Sequence, residues 1–222
     1  MKVKVCGMTT MEQLYQLQEI GVDYAGFIFY PQSPRFVTRN GMNGTDVRNA
    51  GLKLKKVGVF VDATYNEIMK QVEAFGLDMV QLHGKETPFE SSRIAENIPV
   101  IKAFRFMEHD HVEWTIKDYY SAADMFLFDT GVSLPTNEHG QSIMYGGTGR
   151  KFNWNLLKEL SIRKPFFLSG GIEPGDSQLV LDFLKETVAK DLFAVDINSR
   201  FELSPGIKDM RKVGGFINEI KA

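Results

Sequence analysis

The chain has 222 residues, 43% of them apolar and 24% charged, with a formal net charge of -2. That composition is typical of a globular protein, and the charge balance argues against a broad nucleic-acid surface. Its one cysteine, Cys6, excludes an intrachain disulfide and argues against a cysteine-rich structural metal site.

No apolar run is long enough to span a bilayer. Met1 to Val5 carries basic residues without an apolar block behind them, so no secretory signal is read there. These totals fit a cytoplasmic enzyme or binding protein, and the length suits one large domain or two small ones.

Val3-Lys4-Val5-Cys6 alternates and breaks at Gly7, which predicts a first strand. Thr9 or Thr10 can cap the helix that follows, with Met11, Leu14, Tyr15 and Leu17 near one face and Gly21 at its end. Tyr24 to Phe29 reads as a second strand, closed by Pro31-Gln-Ser-Pro-Arg35. A helix is expected within Thr38 to Gly51, although the segment is polar and interrupted by glycine. Val57 to Val61 reads as a third strand. Thr64-Tyr-Asn-Glu67 is a capping-box pattern ahead of Ile68, Val72 and Phe75, and Gly76 stops that helix.

Met79 to Leu82 predicts a fourth strand ending at His83-Gly84. Thr87-Pro88-Phe89-Glu90 is a second capping box, with proline at the first helical position. Val100 to Phe104 predicts a fifth strand, followed by a helix over Val112 to Tyr120. Asp124 to Phe128 is too short for a stable helix and rich in β-formers, and it ends on Asp129. Asn153 is the expected cap of a helix carrying Trp154, Leu156, Leu157 and Leu160. Pro165 to Leu168 predicts a seventh strand, with Ser169-Gly-Gly171 behind it and a helix opened by Pro174. Leu192 to Ile197 predicts the last strand, and Lys208 to Ile220 the last helix.

Strand and helix alternate throughout, with no shift in composition to mark a domain boundary. About eight βα units is the number at which a parallel sheet closes, so the expected fold is a (β/α)8 TIM barrel forming one domain over residues 1–222. An open doubly wound sheet is the alternative. In a closed barrel the strand C-termini share one face. Cys6, Arg35, His83, Arg105, Asp129, Gly170 and Asn198 all fall at or just past a predicted strand end, where the catalytic residues of such barrels sit.

Each candidate has a plain reading beside a chemical one. Asp129, where a buried strand meets a long loop, is placed to act as a general acid, or it caps a turn. Cys6 is a buried small hydrophobe or a thiolate whose pKa Lys4 or Arg35 would lower. Arg35, in a stiff turn, holds a carboxylate or phosphate, or it braces its loop against a neighbouring acid. His83 is a structural hydrogen-bonder or a base, with Gln81 on the same strand face. The backbone N–H groups of Gly170 and Gly171 can cradle an anion, and the loops after strands seven and eight are the usual phosphate site in barrels. Gly146-Gly147-Thr148-Gly149 matches neither a dinucleotide fingerprint nor a P-loop, and reads as a flap or a phosphate-facing loop. No His, Asp and Glu cluster has metal-ligand spacing.

As a set the motifs resemble phosphoribosylanthranilate isomerase. They are Lys4-Val-Cys-Gly-Met-Thr9, Gly26-Phe-Ile-Phe29 with Ser33-Pro-Arg35, Val57-Gly-Val-Phe60, Val80-Gln-Leu-His-Gly84 and Ile101-Lys-Ala103. Asp129 followed by Gly146-Gly-Thr-Gly149, then Ser169-Gly-Gly171 and Ser204-Pro-Gly206 with Lys208-Asp209, complete the set. The resemblance implies a TIM barrel of the ribulose-phosphate-binding type that isomerises N-(5′-phosphoribosyl)anthranilate in tryptophan biosynthesis. It implies Cys6 as general base and Asp129 as general acid. It also implies that Arg35 holds the anthranilate carboxylate, with His83, Gly170, Gly171, Asp196, Asn198 and Ser199 as further substrate contacts. No metal or organic cofactor is implied. The expected partner is a small phosphorylated substrate, without nucleic acid or membrane, bound by a monomer or homodimer.

One departure stands out. The family usually follows its last strand with Asp-Val-Ser-Ser-Gly, and this chain has Asp196-Ile-Asn-Ser-Arg200. Losing that glycine restricts close backbone approach to phosphate, which Arg200 would replace with a side-chain contact. The rivals are a sibling indole-glycerol-phosphate synthase and a histidine-pathway isomerase. The former is expected to carry an N-terminal extension and active-site lysines, the latter two aspartates with an acid in place of Cys6. A catalytically silent phosphoribosyl-binding barrel is the rival of another class.

Overall fold

The computed structural model describes residues 1–106, 111–130, 154–158 and 160–222. In chain order the elements are β1 (Lys2–Cys6), α1 (Met11–Ile20), β2 (Tyr24–Ile28), α2 (Gly44–Asn49), β3 (Lys55–Phe60), α3 (Tyr65–Phe75), β4 (Met79–Leu82), α4 (Pro88–Ala95) and β5 (Val100–Phe106). They continue as α5 (Val112–Ile116), β6 (Met125–Thr130), α6 (Asn155–Lys158), β7 (Phe166–Leu168), α7 (Ser177–Phe183), β8 (Leu192–Ile197), β9 (Glu202–Ser204), β10 (Ile207–Lys208) and α8 (Met210–Lys221). Strands β1 to β8 pair in parallel and in chain order, and β8 returns to β1 to close the barrel.

Local chemistry sets most element ends. Thr10 caps α1 through the Gln13 N–H, and Gly21 closes that helix at φ 83 in the left-handed region, where only glycine is comfortable. Thr64 with Glu67 and Thr87 with Glu90 both make the reciprocal bonds of a capping box.

Several boundaries differ from expectation. The helix expected within Thr38 to Gly51 is confined to Gly44–Asn49, because Asn43 caps it and Gly41 lies at φ 84 just ahead. The helix expected over Val112 to Tyr120 tightens into a 3-10 turn over Lys117–Tyr119. Strand β6 runs to Thr130, so Asp129 lies within the strand and not beyond it. The last helix begins at Met210, capped by Asp209, because Lys208 belongs to β10. The β9–β10 hairpin turns at Pro205-Gly206, where Gly206 has φ 86 and a Cβ would come within 3.0 Å of Thr9. The Asn153 cap and the Gly146 to Gly149 stretch lie outside the described residues.

Strand side chains alternate between two faces. One set packs with helix residues such as Leu14, Ile68 and Phe216, and is therefore the layer between sheet and helices. It includes Val3, Val5, Val80, Leu82, Phe126, Phe128, Val195 and Ile197. The other set consists of strand residues alone and fills the barrel interior: Tyr24, Val57, Met79, Ile101, Leu127, Phe167 and Ala194. Truncating one buried Phe of the outer layer to Ala costs about 3–5 kcal/mol, against a total stability of about 5–15 kcal/mol for a typical domain. The outer layer therefore carries the fold. Inward positions near the strand C-termini are left open to polar side chains.

Candidate active site

Counting two residues along the strands from the apolar interior reaches the polar groups. Leu127 leads to Asp129, Ala194 to Asp196, Met79 to Gln81 and then His83, and Ala103 to Arg105. On β1 the inward pair is Lys4 and Cys6, since Val3 and Val5 belong to the outer layer. All of these share the C-terminal mouth, as the sequence leads one to expect.

Cys6 ends β1 in register with Gly26 of β2. A Cβ on residue 26 would lie 2.8 Å from the Cys6 Sγ, so glycine there is what leaves the thiol its space. Lys4 and Asp196, opposite each other across β1 and β8, form an ion pair with Nζ 2.9 Å from Oδ1. Both are buried, Lys4 completely. A hydrophobic replacement for such a pair is often neutral or stabilising by about 1–4 kcal/mol, so stability alone does not explain it. Its position beside Cys6 gives it a chemical use. Burial opposes the Lys4 ammonium, yet Asp196 and Cys6 together hold its pKa above the ordinary value.

Burial pushes the Cys6 thiol up, and Lys4 opposes that shift without cancelling it. Lys4 thus acts in the expected direction, but the net shift is upward because burial outweighs it. Asp196 raises the thiol further and Lys208 opposes it. The thiolate fraction therefore grows only at higher pH, and kcat/KM is expected to rise with pH through the neutral range. Lys4→Met should move that rising limb to still higher pH, because the ammonium is the largest influence favouring thiolate. A pH–rate profile checks this, and an unmoved limb would assign the titration to another group.

His83 follows β4. Gln81 Nε2 lies 2.9 Å from His83 Nδ1 and, as donor, leaves the ring proton on Nε2. That nitrogen faces Asp129 Oδ2 at 3.5 Å. Burial lowers the His83 pKa, Asp129 opposes this and Arg105 reinforces it, so the imidazole is neutral near pH 7. Arg105, in register with Asp129 across β5 and β6, donates from Nη2 to the His83 carbonyl at 3.0 Å. Asp129 is thus flanked by a neutral ring, in a mouth where its side chain keeps 18% exposure. Burial raises the Asp196 carboxyl pKa and Lys4 opposes it. Asp129 and His83 act on it too, which joins the acid side of the mouth to the Cys6 side.

Arg35 lies in the loop after β2, packed so close to Gly7 that a Cβ there would come 2.9 Å from its Cδ. Its guanidinium grips Glu202: Nε donates to Oε1 and Oε2 at 2.9 and 3.0 Å, and Nη2 to Oε2 at 2.8 Å. Lys208 Nζ donates to the same carboxylate at 2.6 Å and to Asn198 Oδ1 at 2.7 Å. Burial pushes Lys208 down to about 8, although Glu202 holds it up. Arg35 and Lys208 together outweigh burial and hold the Glu202 carboxyl below its usual range.

Gly170 and Gly171 follow β7 with φ 96 and 72, so each would strain any side chain. Asn198 follows β8 directly, with its side-chain oxygen turned to Lys208. Ser199 opens a 3-10 turn ending at Phe201, and Arg200 within it is exposed. Among the described residues no group of three or more His, Cys, Asp or Glu is placed to hold a metal ion.

Every site residue expected from the sequence therefore lies at the strand C-terminal end. Three of them are engaged within the protein: Asp196 with Lys4, Asn198 with Lys208, and Arg35 with Glu202. Glu202 and Lys208 were not among the expected site residues. The Pro205-Gly206 dipeptide was the signal for the hairpin that carries them.

Residues 3–219 match the family model described as N-(5'phosphoribosyl)anthranilate (PRA) isomerase. The chain is 36% identical over 222 residues to the N-(5'-phosphoribosyl)anthranilate isomerase of Phocaeicola vulgatus, covering 100% of this chain and 98% of the relative. Structures of monomers generated from the dimeric phosphoribosylanthranilate isomerase of Thermotoga maritima superpose with TM-score 0.78, at 30% identity over 99% of this chain and 98% of that one. A phosphoribosyl anthranilate isomerase bound to reduced 1-(o-carboxyphenylamino)-1-deoxyribulose 5-phosphate gives TM-score 0.77, with 30% identity and the same coverage.

Proposed function

The chain belongs to the N-(5'-phosphoribosyl)anthranilate isomerase family, and from that premise we propose how its residues divide the work. It converts N-(5-phospho-β-D-ribosyl)anthranilate to 1-(2-carboxyphenylamino)-1-deoxy-D-ribulose 5-phosphate, a step of L-tryptophan biosynthesis. Asp129 protonates the ribose ring oxygen, and the C1′–O bond breaks as the anilino nitrogen lone pair forms an iminium. The cation acidifies the C2′ proton, which the Cys6 thiolate removes. The C2′–H electrons form the enolamine, which tautomerises to the ketone. The substrate's own iminium is the electron sink, so the chemistry calls for no cofactor.

Arg35 holds the anthranilate carboxylate, and the Gly170-Gly171 backbone with Asn198 and Ser199 receives the phosphate. His83 and Asp196 contribute by orienting Asp129 and Lys4. The barrel works as one domain, as a monomer or homodimer in the cytoplasm, without nucleic acid. Among the described residues no helix is long and apolar enough to cross a membrane.

The observation that carries this reading is the shared inward face, which brings Cys6 and Asp129 from strands one and six to a single mouth. Its test is steady-state turnover of freshly generated phosphoribosylanthranilate, followed by loss of anthranilate fluorescence. A folded protein that binds the reduced product analogue but gives no turnover would replace this reading with a silent binding barrel. Arg200, exposed where the family usually has glycine, is expected to contact the phosphate. Arg200→Gly should therefore change KM more than kcat, and no change in either would mean the side chain points away.

A further inference from the structure

Arg35 does not stand alone at the mouth. A guanidinium has five N–H donors in a planar fork. Glu202 occupies the Nε–Nη2 edge with three contacts of 2.8 to 3.0 Å. Among the described residues no hydrogen bond occupies Nη1, and the Nη1–Nη2 edge is the one that matches a second carboxylate in bidentate fashion. Glu202 is in turn held by Lys208 at 2.6 Å and by the Gly206 N–H at 3.1 Å, so its carboxylate is anchored from the hairpin side. The side chains of Arg35, Glu202 and Lys208 are at most 9% exposed.

The charges point the same way. Among the described residues two cations share one carboxylate, so the cluster of Arg35, Lys208 and Glu202 carries one positive charge in excess. A buried excess charge is costly, and an incoming carboxylate on the open edge of Arg35 balances it.

We propose that Glu202 is a positioning residue for substrate recognition, clamping Arg35 so that its remaining edge faces the anthranilate carboxylate. This rests on the reading that Arg35 binds that carboxylate. Glu202 touches no reacting atom in this scheme; it acts through Arg35.

The test compares two inhibitors in the intact protein. One is reduced 1-(o-carboxyphenylamino)-1-deoxyribulose 5-phosphate, and the other is the same compound without the o-carboxyl group. The readout is the ratio of their inhibition constants, which isolates recognition of the carboxylate from general damage to the site. Glu202→Gln is expected to lower the preference for the carboxylate compound by about tenfold, the usual worth of a charge-assisted hydrogen bond. Binding of the decarboxylated compound should hold within about twofold. Arg35→Ala should lower the preference at least as far, and the double variant should fall no further than Arg35→Ala alone.

An unchanged preference in Glu202→Gln, with a lowered one in Arg35→Ala, would overturn the role of Glu202 alone. A raised preference would overturn it as well, because it would make Glu202 a competitor for Arg35. An unchanged preference in Arg35→Ala would instead overturn the underlying reading of Arg35. Should Glu202→Gln fail to fold, Glu202→Asp keeps the charge with a shorter reach. It is expected to lower the preference less than tenfold but measurably, and a wild-type ratio there would count against the proposal.

Discussion

Asp129→Asn is expected to lower kcat by at least about a hundredfold, in line with the loss of a general acid. The amide keeps the shape of the carboxyl group and can still face His83 Nε2, so the geometry of the mouth is retained. What it cannot do is deliver a proton to the ribose oxygen as the C1′–O bond opens. KM should change little, because the lost interaction belongs to the transition state. The surroundings support this role. Burial lowers the pKa of the imidazole beside Asp129, and the carboxyl keeps 18% side-chain exposure in the mouth, where a substrate can reach it. Steady-state fluorescence turnover of wild type beside the variant decides the matter, and near-normal turnover would end the general-acid assignment.

Cys6→Ala should lower kcat to a similar extent while binding of the reduced product analogue survives. The argument is partly one of space. Gly26 leaves room for Sγ, and Lys4 is held by Asp196 in the neighbouring inward position. An ammonium so placed serves to stabilise a thiolate against burial. Alanine removes the base and leaves Lys4 paired with Asp196, so the barrel is expected to keep its fold. Thermal unfolding and analogue binding separate the outcomes. Loss of folding with no specific loss of turnover would return Cys6 to the role of a packing residue.

The fold was legible along the chain because its signals are local. Capping boxes at Thr64 and Thr87, glycine stops at Gly21 and Gly76, and eight short apolar runs each act within a few residues. Two of the helix boundaries that moved did so where weak propensity met a specific cap, at Asn43 and at Asp209. The candidate site was legible to the extent that its residues sit at strand ends. A strand C-terminus can be read from a hydrophobic run that stops, as at Cys6 and His83.

The sequence by itself thus determined the alternation of strands and helices and the strand ends on which chemistry collects, while closure, expected from about eight units, is made by the pairing of β8 with β1. Which polar groups become partners was decided only by the tertiary structure. Lys4 meets Asp196 across 192 positions of chain, and Arg35 meets Glu202 across 167. Neither pairing leaves a periodic trace in the sequence, because ion pairs form wherever the register of distant strands brings opposite charges together. The same holds for the Cys6 thiol. Nearby cations in the sequence suggest a lowered pKa, but burial by the closed barrel is the larger effect and sets its direction.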